Sequence, residues 1–122
     1  MPGSSDYADW RERLADANDP AFWPIEAIDR ELTEGRAQFW CDGESAIVTR
    51  LIEYPGGAKV IEILAAYGHL ESLWTQIQPA LETYARNNGI GILRATGRLG
   101  WARAGKKHGW KAEMVIIEKE LT

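Results

Sequence analysis

The side chain with the clearest chemical potential is Glu62, in the apolar run Val60-Ile61-Glu62-Ile63-Leu64. A carboxylate among apolar neighbours is the kind of group that can accept a proton in acid–base catalysis. The alternative is a glutamate that faces solvent on an alternating strand. Glu53, in the preceding apolar run, carries the same ambiguity, and we expect it near Glu62 if the two runs pair as strands.

Other catalytic groupings are absent from the sequence pattern. His69 and His108 are the two histidines, and no cysteine or acidic cluster accompanies them at metal-ligand spacing, so we predict no zinc site. Cys41 is the single cysteine, which excludes an internal disulfide and favours a small buried hydrophobe. Ser72 and Thr96 have no adjacent base pattern, so nucleophilic catalysis is not indicated.

Charge is unevenly distributed along the 122 residues, although the net charge is only −4. Residues 1–35 contain nine acids against three arginines, whereas residues 86–111 contain seven basic residues and no acid. The basic residues are Arg86, Arg94, Arg98, Arg103, Lys106, Lys107 and Lys111. Such a stretch indicates either an anion site or a solvated face balanced by the acidic end.

Two helices are predicted in residues 1–35. Apolar residues recur at helical spacing in each: Tyr7, Trp10, Leu14 and Ala17 in the first, and Ile25, Ile28 and Leu32 in the second. Ser4 and Ser5 are candidate N-caps of the first helix, which should end near Asn18 to Pro20. Gly35 is a stop signal for the second helix.

Residues 37–66 are predicted to form a three-stranded antiparallel meander. Gln38 to Cys41, Ser45 to Tyr54 and Ala58 to Ala66 are rich in β-branched and apolar residues. Asp42-Gly43 and Tyr54-Pro55-Gly56-Gly57 separate them and have the composition of tight turns.

Residues 69–121 are predicted to contain a helix, a strand, a short helix and a strand. The long helix should show a kink or a restart at Pro79, which cannot donate to the helical ladder. The later elements are 90–96, 101–108 and 112–121. The prediction is a single mixed α/β domain over residues 1–122, with helices packed on a mixed sheet. We expect a shared core of Ile61, Trp74, Leu81 and Ile116.

The C-terminal half resembles the GNAT family of N-acyltransferases. In that family a short helix reads approximately N-x-x-A-x-x-L-Y-x-K-x-G-F and is followed by closing strands. The corresponding run here is RLGWARAGKKHGW from Arg98, with Lys107, Gly109 and Trp110 at the positions of the Lys, Gly and Phe. The element order from residue 20 to 121 is also similar. The chain is similar in character to small GNAT-like proteins of phages and prophages.

Compared with active members of that family, this chain differs at several positions of the motifs. Family members bind the coenzyme A pyrophosphate in a loop R/Q-x-x-G-x-G/A before the long helix, because glycines let helix N–H groups approach phosphate. At that junction this chain keeps only Gly68 and places Glu71 where phosphate would lie. The general-acid Tyr of the family falls on Gly105 and its Asn on Arg98. The resemblance also makes Glu62 the candidate general base.

Three functions remain open at this point. The first is a GNAT-like domain with a degenerate acetyl-CoA site, a non-catalytic binding or structural protein of phage type that needs no cofactor. The second is an atypical N-acetyltransferase in which Glu62 is the base and Arg98, Arg103 and Lys106 hold the phosphates of acetyl-CoA. The third is a nucleic-acid-binding domain using the basic residues, with Trp101 or Trp110 as stacking partners.

We expect the partner to be another protein or a second copy of the chain. Nucleic acid is an unpromising partner for an acidic chain with a sequence pI near 5.2. No membrane-spanning run is predicted, because no apolar run approaches the roughly 20 residues that cross a bilayer. No signal peptide is predicted either, because residues 1–9 contain neither a positively charged nor an apolar region. The expected location is the cytoplasm, or the virion if the protein is phage-encoded.

Overall fold

The computed structural model describes residues 4–96 and 99–121. The chain runs through two helices, three strands, a long helical crossover, a fourth strand and a short helix, as the sequence order predicts. The crossover has three parts: α3 (Leu70–Ser72), a π-helical segment (Leu73–Ile77) and α4 (Gln78–Asn87). The other elements are α1 (Ser4–Ala17), α2 (Ile25–Thr33), β1 (Ala37–Cys41), β2 (Ser45–Glu53), β3 (Lys59–Gly68), β4 (Ile92–Ala95), α5 (Leu99–Gly105) and a 3-10 turn (Lys106–His108).

The predicted stop signal ends α2. Gly35 adopts a left-handed φ of 77°, and its N–H donates to the Leu32 carbonyl at 3.1 Å. The N–H of Arg36 then reaches back to the Glu31 carbonyl at 2.9 Å, so free carbonyls of the last helical turn are satisfied. Glycine suits this position because other L-residues rarely adopt a positive φ.

The sheet has the strand order β1-β2-β3-β4 and is mixed. The meander is confirmed: β1 pairs with β2 and β2 with β3, both antiparallel. The β2–β3 register shifts between Val48 and Thr49, which face Ala65 and Ile63, so Leu64 is the extra residue of a β-bulge. β4 then pairs in parallel with β3, from Val60–Ile92 to Ile63–Ala95.

The long helix restarts beside Pro79, as predicted. The N–H of Gln78 bonds to the Leu73 carbonyl, five residues back, which marks the wide π turn. Pro79 follows in the first turn of α4, directly after the π-helical segment, so the hydrogen-bonding pattern of the crossover changes at the proline. The restart therefore accommodates the proline while apolar side chains remain on one side.

The sheet is buried on both faces. One face packs against α1 and α2, with Trp10, Leu14, Ile28, Phe39 and Val48 in its core. The other packs against the crossover helix, with Trp40, Ile47, Ile61, Ile77 and Leu81 in its core. β3 supplies both cores because successive side chains of a strand point to opposite faces. In the described ranges, no helix has the length and apolar character needed to cross a membrane.

The predicted last strand is absent. Residues 111–121 form no strand in the structure and are all exposed. Ile116 is 65 % exposed, so its predicted place in the core is wrong, whereas Ile61, Trp74 and Leu81 are buried as expected. A high strand propensity does not by itself provide a neighbouring strand to pair with. Residues 111–121 pair with no strand among the described residues.

Replacement of Leu81 by Ala tests the packing of the crossover helix. Leu81 is 1 % exposed in the core between α4 and the sheet. Truncation should lower the free energy of unfolding by about 2–5 kcal/mol, because it leaves a cavity that the neighbouring side chains can fill only in part. Urea denaturation followed by circular dichroism measures the loss. Thr83→Ala on the same helix is the control, and a loss below about 0.5 kcal/mol for Leu81→Ala would contradict the assigned face.

Candidate functional site

The junction between β3 and α3 is the place where the resemblance puts a phosphate loop. The structure has almost no loop there, because β3 ends at Gly68 and α3 begins at Leu70. Gly68 has a φ of 118°, and a Cβ on it would lie 2.6 Å from the Cα of Ser45. A glycine is needed here because the backbone at the start of β2 lies too close for any side chain. That backbone fills the space beside Gly68.

A carboxylate of the chain itself lies at the start of the crossover helix. The Ser72 hydroxyl, in α3, donates a short hydrogen bond to Asp42 Oδ2, and the N–H groups of Glu44 and Ser45 donate to Asp42 Oδ1 at 2.7 and 2.8 Å. The hydroxyls of Ser45 and Ser72 lie 2.9 Å apart and are buried. The turn after β1 thus brings an anion to the first helical turn, where negative charge is favourable.

Hydrogen bonding keeps Asp42 ionised. Burial acts to raise the pKa of Asp42, but the bonds from Ser72, from the two backbone N–H groups and from the Ser45 hydroxyl together hold that pKa below its usual value. Glu71, the residue before Ser72 in α3, is exposed. Asp42 and Glu71 therefore give this junction two anionic side chains. A pyrophosphate would meet repulsion where the resembled enzymes offer free N–H groups.

The carboxyl ends of the parallel strands β3 and β4 are covered by indole rings. Ligands of open sheets commonly bind at such ends. Here Trp74 packs against Trp101 and Trp110, with ring centroids 6.2 and 5.6 Å away, and stacks on His108 at 5.7 Å. The cavity that the three indole rings line, together with Ile63, measures only about 10 Å³. A space of this size is comparable to one water molecule.

Trp110 also explains the glycine at the position of the family's tyrosine. A Cβ on Gly105 would lie 3.0 Å from Cβ and 3.2 Å from Cγ of Trp110. The indole N–H of Trp110 donates to Gln78 Oε1 at 2.8 Å, which fixes the ring against α4. The side chain that a general acid would need is therefore replaced by an indole ring that closes the site.

Glu62 lies on the opposite face of the sheet from these rings. It is half-buried, and the strand register places Arg50 and Arg94 beside it on the face that carries α1 and α2. Glu53 is exposed and faces Lys59, so the expected proximity of Glu53 and Glu62 is wrong. Glu62 lines neither the small cavity beneath the indole rings nor the depression between Tyr7 and Asp29.

The described members of the basic stretch differ in their surroundings. Arg98 lies outside the described residues. Arg103 and Lys106 are exposed, three residues apart on α5 and the turn after it. Other members have partners of their own: Arg86 with Glu82, Arg94 with the Tyr54 hydroxyl, and Lys111 with Glu113. Trp101 and Trp110, the expected stacking partners for bases, pack on Trp74 instead.

A wider depression of about 280 Å³ lies between α1 and α2. Its polar groups bond to one another: the Tyr7 hydroxyl donates to Asp29 Oδ1 at 2.6 Å, and Arg11 Nη2 donates to Asp29 Oδ2 at 2.6 Å. Burial and the hydrogen bond to Asp29 raise the pKa of Tyr7 well above its usual range, so the phenol keeps its proton. These hydrogen bonds join α1 to α2.

Asp42, Ser45 and Ser72 were not identified from the sequence. Asp42-Gly43 indicates a turn, but the bond from Asp42 to Ser72 spans 30 residues and leaves no local pattern. A signal was nonetheless present, because aspartate favours turns in which it bonds nearby backbone N–H groups. Within the described ranges, no three histidine, cysteine, aspartate or glutamate side chains form a metal-binding group.

Comparison with solved structures identifies the fold. The chain matches a predicted acetyltransferase with acetyl-CoA from Clostridium acetobutylicum at a TM-score of 0.66 and 15 % identity, covering 95 % of this chain and 88 % of that one. It matches glucosamine-6-phosphate N-acetyltransferase from Arabidopsis thaliana at 0.69 and 11 %, covering 100 % and 97 %. An aminoglycoside 6'-N-acetyltransferase from Acinetobacter haemolyticus gives 0.66 and 14 %, covering 100 % and 98 %.

The protein therefore has the GNAT fold of N-acetyltransferases, which confirms the fold expected from the sequence. No family model and no curated protein sequence matches the chain. At 11–15 % identity the structural likeness concerns the fold alone.

Substitution of Asp42 by Asn tests the carboxylate at the helix start. Because folding lowers the pKa of Asp42, its charge stabilises the fold above the unfolded pKa of about 3.9 and loses this effect as pH falls through the folded value. Asp42→Asn should lower the free energy of unfolding by about 1–3 kcal/mol at pH 7. The difference from wild type should shrink below pH ~3.9. Asp16→Asn, on an exposed residue of α1, should show neither effect.

Substitution of Gly105 by Ala tests the contact with Trp110. The added methyl should displace the indole and lower the free energy of unfolding by about 1–3 kcal/mol, as overpacking does. Urea denaturation gives the stability, and tryptophan fluorescence reports the environment of the rings. Gly91→Ala is the matched control, because a Cβ added to Gly91 would meet no heavy atom within 4 Å and its φ is not positive. Equal stabilities of the two variants would contradict the contact.

Proposed function

We propose that this chain is a GNAT-fold domain that does not use acetyl-CoA and acts by binding another protein or a second copy of itself. The observation that carries the proposal is the anchoring of Asp42 to Ser72 at the start of the crossover helix. Helix N-termini bind anions because their N–H groups and dipole favour negative charge. In this chain the Asp42 carboxylate lies beside the first helical turn, where it is bonded to the Ser72 hydroxyl rather than to the helix N–H groups.

The tryptophan rings support the same proposal. An acyl thioester needs an open cleft at the site, and Trp74, Trp101 and Trp110 leave a cavity of only about 10 Å³ at the ends of the parallel strands. Gly105 provides no proton donor, and its neighbour Trp110 fills the space that a larger side chain would occupy. A phage or prophage origin remains a prediction from the resemblance.

Calorimetric titration with acetyl-CoA at low salt tests the proposal. We expect no saturable heat at millimolar ligand, because the negative charge of Asp42 lies beside the helix start and indole rings fill the cleft. The Clostridium acetobutylicum protein, whose structure contains acetyl-CoA, serves as the positive control. A rise in melting temperature with acetyl-CoA would be a second sign of binding, since a ligand that prefers the folded state stabilises it. Saturable binding in either assay would overturn the proposal.

An active N-acetyltransferase is the second candidate, supported by the acetyltransferase names of the structural neighbours and by the half-buried carboxylate of Glu62. If acetyl-CoA binds, Arg103→Ala or Lys106→Ala should weaken binding, and more strongly at low salt. Arg86→Ala is the matched control, because Arg86 lies about 24 Å along the crossover from its start at Leu70. Turnover should then fall by roughly 10²–10⁴-fold in Glu62→Gln, since an amide cannot act as the base.

A further inference from the structure

Residues 101–110 form a cap over the carboxyl ends of β3 and β4. The cap comprises most of α5, the 3-10 turn and the residues that follow it. Three of its rings, those of Trp101, His108 and Trp110, pack on Trp74 of the crossover. Trp74 is 7 % exposed, whereas the three cap residues are only half-buried. The cap is therefore an outer layer that lies on the core.

One side chain of the crossover makes the polar attachments of the cap. Gln78 Nε2 donates to the His108 carbonyl at 3.2 Å, and the Trp110 indole N–H donates to Gln78 Oε1 at 2.8 Å. In the part of the chain that the structure describes, these two hydrogen bonds join the cap to the rest of the fold. The backbone N–H of Trp110 donates to the Gly105 carbonyl at 3.1 Å, inside the cap. Without the Gln78 carboxamide, the cap would have no hydrogen bond to the crossover.

The contact between the cap and the crossover leaves one polar atom without a partner on each side. Trp74 Nε1, in the crossover, and His108 Nε2, in the cap, are buried and accept or donate no hydrogen bond. A buried polar group without a partner destabilises the state that buries it, because the group has lost its bonds to water. Separation of the cap from Trp74 would return both atoms to water. The closed cap is thus stabilised by ring packing and Gln78, and opposed by two polar atoms.

The sheet beneath the cap is held much more firmly. β2 and β3 each pair with a strand on both sides, and Ile47, Val48 and Ile61 on these strands are at most 1 % exposed. Segments with few buried apolar contacts open at a lower free-energy cost than paired core strands do. The cap can therefore separate from the core while the sheet remains folded.

We propose that residues 101–110 open and close as one unit over the strand ends while the sheet stays folded, and that Gln78 holds the closed state. Opening hydrates Trp74 Nε1 and uncovers Leu73 and Ile63, which line the small cavity together with Trp74. The chain thus contains a covered apolar cleft that becomes accessible without global unfolding. The inference goes beyond the proposed function and does not depend on it, because it concerns a motion of the ligand-free chain.

Hydrogen exchange of indole N–H groups in the full chain, followed by NMR, tests the opening. The N–H groups of Trp74 and Trp110 both meet water when the cap opens. Trp40 supplies a matched reference, because its buried indole N–H donates to Thr49 Oγ1 at 2.9 Å in the core between the sheet and the crossover. The Trp74 and Trp110 protons should exchange at least about ten-fold faster than the Trp40 proton.

The dependence of these rates on low concentrations of urea separates local opening from global unfolding. The slope of exchange against urea increases with the surface that an opening exposes. We expect a shallow slope shared by Trp74 and Trp110, and the slope of global unfolding for Trp40. Equal rates and slopes for all three indoles would overturn the inference, because exchange at the cap would then require unfolding of the whole domain.

The variant Gln78→Met tests the role of the Gln78 carboxamide. Methionine has a similar length and helix propensity but cannot replace the two hydrogen bonds to the cap. Exchange of the Trp74 and Trp110 indoles should accelerate by the same factor, about five-fold or more for the loss of two hydrogen bonds. Gln76→Met, at an exposed position of the same crossover, is the matched control and should leave both rates unchanged. Because Trp74 makes no bond to Gln78, an unchanged Trp74 rate in Gln78→Met would show that its exchange does not involve the cap, and would overturn the inference.

Discussion

The parallel pairing of β3 and β4 is the constraint from which the rest of the structure follows. Two adjacent parallel strands need a crossover that returns the chain to the same end of the sheet, and here a helix of three parts supplies it. The crossover covers one face of the sheet, so α1 and α2 must cover the other. The strand ends and the helix start then meet at one edge of the GNAT fold.

At that edge the chain's own side chains fill most of the space, although Trp74 Nε1 and His108 Nε2 are buried without a hydrogen-bond partner. Asp42 takes the favourable position for an anion at the helix start, and the indoles of Trp74 and Trp110 cover the strand ends. Each of these contacts stabilises the fold in the absence of a ligand. A binding site needs the opposite arrangement, with donors and apolar surface left open until the ligand arrives. The same architecture can thus serve as a cofactor site or as a closed core, depending on a few side chains.

The sequence predicted those features that depend on neighbouring residues. The meander followed from turn residues such as Asp42-Gly43 between β-branched runs, and the restart of the long helix followed from the missing N–H of Pro79. Gly35 likewise indicated the end of α2 through its freedom to adopt a positive φ. These signals are local, and the structure contains each of the corresponding elements.

Features that depend on distant residues could not be predicted in the same way. The bond between Asp42 and Ser72 and the packing of Trp110 over Gly105 bring together residues whose proximity appears only in the fold. Residues 112–121 have the composition of a strand, but composition does not say whether a partner strand is present. Glu53 and Glu62 occupy adjacent paired strands, yet their register positions place them on opposite faces.

The π-helical segment has a consequence for how the length of this chain can change. Such a wide turn corresponds to one additional residue in an otherwise α-helical crossover. Deleting a single residue between Leu73 and Ile77 would restore ordinary helical spacing and leave α3 and α4 in their present orientation about the helix axis, because the wide turn already absorbs that residue. Deleting a residue between Gln78 and Leu81 would instead rotate the two sides of the crossover by about 100° relative to each other. Ser72 would then turn away from Asp42, or Leu81 away from the sheet. The crossover should therefore tolerate the loss of one residue in the π-helical segment better than in α4.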